Sequence, residues 1–413
     1  MSTNVLKTVQ TYNDSNLALL LNSYAFIGTA NMKFKDFDRL EKNRGDSVTF
    51  DLPPRFNTSG SLVASIQGAE QRSATLTVGE AANVAYQFSA QEFIFNVRDY
   101  MDKFGKSAVA ELGTVIESDV AGVAETSPFR FYGDGVNAIS SYGQLASALA
   151  YFRDFGAAKE DTKGYLDSLT VPGVVNTGLK EFVPNKNERE MMSWELGSFS
   201  RCDWYESNLL PVHTAGTEGQ QGSTLTVVST TKNADGAITA ITFSGTNAAG
   251  DADSVKLHDS FQFSDGVSGQ ENMRFLTFIG HKVSQSPVQF RATANAASTG
   301  GSQVTVSVYP PLQPTAGADQ NINQDIAAGM QCTVLPSHRC GLIYSGKALF
   351  MGMPRLPEEI PFPTAISQDA DSGAAIRMYY GSKFGQDERG IVHDAIWGKV
   401  LVPEYSMKIA LPL

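Results

Sequence analysis

Six groups of residues in this 413-residue chain have types and spacing that could suggest chemistry. Gly341-x-x-x-x-Gly346-Lys347 matches most of a phosphate-binding P-loop. That mechanism needs a Ser or Thr after the lysine to hold Mg²⁺. Here the position is Ala348, and strand-like residues follow Lys347 where a P-loop has an apolar-periodic helix, so the match reads as chance. Cys332, His338 and Cys340 lie within nine residues and offer thiolate and imidazole, the zinc ligands. Their C-x5-H-x-C spacing fits no familiar knuckle and lacks an evident fourth ligand, which favours buried structural cysteines and a surface histidine. His213, His258, His281 and His393 are each capable of general-base work, but none has a patterned nucleophile near it in sequence. The segment "DGVSGQ" (265–270) misses the G-x-S-x-G elbow because Gln270 stands in place of the last glycine.

Carboxylates pair at Glu358-Glu359, Asp369/Asp371 and Asp387-Glu388. Such pairs do acid–base work when buried together. In Pro/Gly/Ser-rich loops they read as solvated. "DWYES" (203–207) sets Trp204 and Tyr205 between acids. An aromatic binding platform is one reading; packing of an inserted domain's base against its host is the favoured one. No catalytic, cofactor-binding or metal-ligating residue is assigned on this basis, and no cofactor is required.

Composition narrows the class. Hydrophobic residues make up 42% and charged residues 18%, as in an ordinary soluble protein slightly poor in charge. Lys+Arg 32 against Asp+Glu 43 gives −11, which disfavours non-specific nucleic-acid binding, and no basic stripe suggests sequence-reading of DNA. A protein that only encloses DNA needs no such stripe. Three cysteines are too few and too odd for a disulfide framework and fit a reducing compartment. The short apolar run Leu17–Leu21 lacks the flanks of a signal peptide, and no apolar stretch is long enough to span a bilayer.

The elements that would position these residues follow from periodicity. Residues 1–46 read as an extended arm with a short helix around Asn16–Tyr24. Val48, Phe50 and Leu52 alternate as a strand that stops at Pro53-Pro54, and 74–78 reads as the return strand. The excursion between them is long for a compact domain and suits docking on a neighbour. Residues 98–127 are the best helix candidate, with Met101, Phe104, Ala108, Leu112, Val115 and Val123 near one face and Pro128 beyond the end. Thirty residues would make a rod of about 45 Å. Ser141-x-x-Gln144 predicts a capped helix over Leu145, Leu149 and Phe152, closed at Gly156; Asn185 and Glu188 repeat the start signal. "SLTVPGVV" (168–175) reads as a buried strand.

Residues 216–335 form a Gly/Ser/Thr-rich block of different character. Six alternating segments, 223–229, 237–245, 260–265, 287–293, 303–310 and 330–335, with polar turns between them, predict a small antiparallel barrel or sandwich able to close its own core. Beyond it, 376–385 and 399–405 read as the clearest strands.

This order of elements resembles the major capsid protein of tailed double-stranded DNA phages, of the HK-97-type fold, and within it the podovirus-type coat proteins that carry an insertion domain. "GDSVTFDLP" (45–53) resembles the start of that family's extended loop, and residues 98–127 its spine helix. "SRCDWYESNLLPVHTAG" (200–216) resembles the entry to the insertion domain, "GSTLTVV" (222–228) its first strand, and "LIYSGKALFMGMPRLP" (342–357) the return. The resemblance implies an α+β chain divided as N-terminal arm 1–46, extended loop 47–80, peripheral domain 81–135, axial domain 136–215, barrel insertion 216–335, and a return to axial and peripheral domains over 336–413. It implies partners too: other copies of itself in pentamers and hexamers, a separate scaffolding protein, a portal protein at one vertex, and packaged double-stranded DNA held without sequence-specific contacts. The place implied is the virion, assembled in the bacterial cytoplasm, with no membrane partner. The crosslinking branch's Lys, Asn and Glu set finds no matching motif here. Other readings are a tail-tube or decoration protein, which the long helix disfavours, and a hydrolase with a β-rich accessory domain, which would need a convergent His/Asp/Glu cluster.

Overall fold

The structure is a computed structural model that describes residues 13–14, 16–18, 20, 24–32, 47–54, 56, 72–89, 105–156, 161–176, 197–247, 250–264, 273–277, 280–346, 348–357, 362, 364–369, 374–382 and 388–413. The chain forms two compact units. One takes Met1–Asp51, Ser73–Val123 and Leu349–Leu401; the other takes Leu52–Arg72, Ala124–Ala348 and Val402–Leu413.

In the first unit a sheet runs in the order Ser47–Leu52, Arg72–Ser89, Glu388–Leu401, Ala375–Ser382 and Thr364–Gln368, with Leu349–Gly352 also paired to Glu388–Leu401. Val48, Phe50 and Leu52 take the less exposed face of their strand, as their alternation predicts. The return strand has 18 residues, far longer than its apolar core at 74–78 suggests, because Val78–Ser89 pairs along most of the Glu388–Leu401 strand. The described helix is Lys106–Ala121, 16 residues and about 24 Å long. It breaks at Gly122 before a four-residue helix at Val123–Thr126; residues 98–104 lie outside the described set. Its buried face is set by Ala108, Leu112, Ile116 and Val120 with Val109 beside them, and Val115, expected on that face, is exposed. The buried face centres on Val109, Leu112, Ile116 and Val120, which puts Ala108 at its edge and Val115 just beyond it. Tyr24 lies on Gly113, and the Glu117 carboxylate accepts from the first two N–H groups it can reach on the Ala25–Thr29 helix, Phe26 at 2.8 Å and Ile27 at 3.0 Å. A helix start leaves such donors unpaired, and an acid is the natural cap.

The second unit contains a mixed sheet and a barrel. The sheet order is Phe131–Tyr132, Ser406–Leu411, His338–Ser345, Thr162–Leu166, Cys202–Glu206 and Ser198–Phe199. The helix Tyr142–Asp154 packs Leu145, Leu149 and Phe152 into one core with Ile343, Met407, Ile409 and Trp204. Its cap forms as predicted: Ser141 Oγ accepts from Gln144 N, and Gln144 Oε1 accepts from Ser140 N. Gly156 ends it at φ +99. Residues 171–176 are helical, not the buried strand their apolar run suggests. Asp167 turns the chain by accepting from Leu169, Thr170 and Val171, and Pro172 falls in the first turn, where its missing N–H costs nothing.

The six predicted strands close a barrel in which every neighbour is antiparallel. Its order is Ser260–Phe263, Gln289–Ala292, Gln303–Leu312, Ile238–Ser244, Thr224–Lys232 and Gln331–Val334. Alternate residues fill the interior, with Phe243, Phe261 and Phe290 stacked at centroid distances of 5.0 to 6.3 Å. Of the strands expected after the barrel, 376–385 falls on Ala375–Ser382, and 399–405 spans the end of Glu388–Leu401 and a 3-10 turn.

Candidate functional site: a buried charged hub where the barrel meets the sheet

The chain leaves the sheet through Val212–His213 and re-enters it at His338–Arg339. These two short runs pair antiparallel, making His213 and His338 direct partners. The barrel strand Ser260–Phe263 begins beside them, after His258 turns the chain at φ +70. Asp259, fully buried, therefore meets His213: its carboxylate accepts from His213 Nε2 at 2.8 Å, Gly216 N at 3.1 Å and Lys256 N at 2.7 Å. On the other side His213 Nδ1 donates to Glu125 at 2.9 Å. Two ionised carboxylates only accept, so both ring nitrogens carry hydrogen and the ring is an imidazolium. Burial works against that charge, but the bonds to Asp259 and Glu125 outweigh it and raise the His213 pKa. Burial likewise opposes ionisation of Glu125, yet the His213 bond and charge hold its pKa below the ordinary value.

Lys408 completes the hub. It is fully buried, and its Nζ lies 3.4 Å from Ser260 Oγ. Burial and the Lys408 charge push His338 down to about 3; it stays neutral and donates Nδ1–H to Pro336 O at 2.7 Å. Burial and the Arg291 guanidinium push His258 down to about 4, and Arg291 Nη1 donates to its Nδ1 at 2.9 Å. One charged histidine thus sits near two neutral ones.

The arrangement brings together an acid–histidine–acid chain, a buried lysine and a serine, the ingredients of hydrolysis. The geometry does not assemble them for it. A general base needs a free nitrogen facing substrate. Both His213 nitrogens are bonded, and His338, Ser260, Asp259 and Lys408 are at most 1% exposed. Glu125, its side chain 27% exposed, and the half-buried His258 and Arg291 reach solvent, and the acceptor nitrogen of His258 is already taken by Arg291. Further bonds make the same join. Gln289 of the barrel pairs its amide with both N and O of Phe131, and the Asp154 carboxylate accepts from Gln285 N. Phe129 and Phe155, from outside the barrel, enter its core cluster edge-on to Phe275 at 5.8 and 5.6 Å. The hub holds the barrel to the sheet.

The other candidate residues disperse. Gly341 lies inside the His338–Ser345 strand, paired with Ile409, so no loop cradles a phosphate there; Lys347 is outside the described residues. Cys332 sits in the barrel core and Cys340 in the sheet; both are buried, and burial raises each thiol. His338, expected at the surface, is fully buried because the sheet and the returning chain enclose it. Among the described residues no group of three His, Cys, Asp or Glu has the geometry to hold a metal. His281 donates to Ala318 O, and His393 lies beside Tyr86 in the first unit. Trp204 packs on Gly164 in the core under the Tyr142–Asp154 helix, away from the barrel's base, while Tyr205 stacks on Tyr165. Glu358, Glu359, Asp371, Asp387 and 265–270 lie outside the described residues; Asp369 and Glu388 sit at strand ends. Sequence reasoning missed Glu125, Asp259 and Lys408. The available signal was the placing of His213 and His338 at the two borders of the insert.

No family model matches the chain, and no curated relative matches it. Among solved structures it is similar to one from Mycobacterium phage Che8, at 8% identity and TM-score 0.45, over 94% of this chain and 90% of that one. The capsid asymmetric unit of cyanophage Pam1 is similar at 8% identity and TM-score 0.44, over 92% and 87%. A virus-like particle from Pyrococcus furiosus is similar at 8% identity and TM-score 0.40, over 97% of each chain. At such scores the likeness by itself argues nothing about function.

Proposed function

We propose that this chain is the structural major capsid subunit of a tailed double-stranded DNA phage, of the HK-97-type fold, and that it assembles into the icosahedral shell around the genome. One observation carries the reading: the order of elements along the chain. A strand, a long connection and an 18-residue return strand precede a helix. A sheet and helix follow, a closed barrel is spliced between His213 and His338, and the chain then returns to both sheets. That is the order of the insertion-bearing coat proteins. The buried hub supports the same reading, since its ionisable groups bond to one another and to the backbone and join the barrel to the sheet.

On this reading the chain is not an enzyme. Its arm (1–46), extended loop (47–80), peripheral region (81–135), axial region (136–215 with the return over 336–413) and barrel (216–335) act through interfaces. Its partners are other copies in pentamers and hexamers, a scaffolding protein during assembly, a portal protein at one vertex, and enclosed DNA. It resides in the virion after assembly in the host cytoplasm. Sedimentation of the purified chain, alone and with its scaffolding partner, tests this: capsomer-sized or larger species are expected, and a monomer under every assembly condition would refute it.

A further inference from the structure

A cavity of about 480 Å³ opens within the second unit. It is within the size range of small-molecule sites. Phe129, Phe155, Phe275 and Tyr309 form its apolar floor, and Asp235, Asp319, Glu404 and Arg72 are its charged wall. Arg72 belongs to this unit and pairs both terminal nitrogens with Glu404. Asp235 and Asp319 therefore give the lining an excess of negative charge.

The hydrogen-bonding inventory leans toward acceptors. Each side-chain amide of the lining already gives an N–H to a partner inside the protein, and both terminal nitrogens of Arg72 face Glu404. Asn321 Nδ2 donates to Pro311 O, Gln313 Nε2 to Asp235 O, and Asn233 Nδ2 to the Asp235 carboxylate. The backbone N–H of Asp235 and Ala237 donate to Asn233 Oδ1, and that of Gln313 to Asn321 Oδ1. Acceptors remain. Gln313 Oε1 is buried with no partner, and a carboxylate offers about four acceptor positions, more than Asp235 uses. A buried acceptor without a donor is costly, so an occupant that reaches Gln313 Oε1 gains by bringing an N–H group. An aromatic floor beside carboxylates favours a cation over a neutral donor. Rings of this floor already stack against guanidinium groups of the chain: Arg291 lies 4.8 Å from the Tyr309 centroid and Arg130 4.1 Å from that of Phe155, neither being part of the lining.

We propose that this cavity binds a small organic cation, a guanidinium or polyamine carried on a short apolar stem. The site is independent of assembly and of the capsid reading. Isothermal titration of the full unassembled chain with agmatine, which carries a guanidinium and an ammonium on four carbons, tests it, with glutarate as the anionic control. Saturable one-to-one binding of agmatine and none of glutarate is expected. Asp319→Asn, an exposed change that keeps the shape, should weaken agmatine binding about fivefold. Asp325→Asn, whose carboxylate pairs with Lys232 outside the lining, should leave it unchanged. No saturable binding, equal binding of glutarate, or an Asp319→Asn variant that binds as well as the parent overturns the proposal.

Discussion

Asp259→Asn is the sharpest test of the hub, because it removes one charge while changing shape very little. The Asp259 carboxylate accepts from three donors: the ring of His213 and the backbone N–H of Gly216 and Lys256. An asparagine offers one acceptor oxygen and turns an NH₂ toward the rest, so at least one buried donor faces another donor. The imidazolium is left with Glu125 alone. Removing one partner of a buried, hydrogen-bonded charge pair costs about 3–5 kcal/mol. That is a large share of a domain stability of about 5–15 kcal/mol. At about 2–4 °C per kcal/mol for a unit of this size, melting should fall by roughly 6–20 °C. Urea titration with calorimetry measures it, and hydrogen exchange at Gly216 and Lys256 shows that the loss is local. Asp325→Asn, an exposed position, serves as the control and should stay within about 0.5 kcal/mol. The pH profile has a definite sign. His213 has a raised pKa, so its contribution is full below its ordinary 6.5 and is lost as pH rises through the raised value. Glu125 has a lowered pKa, so its contribution is present above its ordinary 4.5 and is lost as pH falls through the lowered value. The hub is therefore strongest between about 4.5 and 6.5, and Asp259→Asn should flatten the alkaline side of the profile. A variant no less stable than the Asp325→Asn control, or a parent whose stability does not decline above neutrality, would refute the reasoning.

Gly113→Ala would drive a Cβ into the Tyr24 ring and force it to shift. Amides of Phe26 and Ile27, now bonded to Glu117, should exchange faster while the Lys106–Ala121 helix stays protected. Gly164→Ala meets the Trp204 ring at 2.5 Å inside a packed core and should cost about 1–3 kcal/mol in urea melts; an unchanged midpoint would mean that the core yields more easily than its packing implies. Residues 216–335 expressed alone should still close six strands, since the stacked phenylalanines and alternating valines lie within them. Without Phe129 and Phe155 the fragment should melt below the parent, and a collapsed amide spectrum would show that the barrel depends on those two rings.

The barrel was legible because each strand alternates in a self-contained run, and turns such as Asn233–Gly236 carry their own chemistry. The Tyr142–Asp154 helix was legible for the same reason: its cap, apolar face and closing glycine are local. The stretch 168–175 was not, because an apolar run with three valines and a proline suits a strand or a first helical turn alike; Asp167, just before it, decides by accepting three backbone donors. The length of the Arg72–Ser89 strand was hidden because its partner, Glu388–Leu401, lies almost at the other end of the chain. The hub was hidden for the same reason at larger scale. Glu125, His213, Asp259 and Lys408 share no spacing, and only closure of the barrel against the sheet collects them. The sequence held one hint, the histidine at each border of the insert, and periodicity does not read hints of that kind.

The central claim is that this chain builds a shell from copies of itself. Electron microscopy of the purified chain co-expressed with its scaffolding partner tests it most directly. Closed particles whose walls are pentamers and hexamers of this chain, each subunit carrying a barrel held at the His213–Asp259 junction, are the expected result. A chain that stays monomeric in every assembly condition, while its barrel and sheet are folded by hydrogen exchange, would contradict the account.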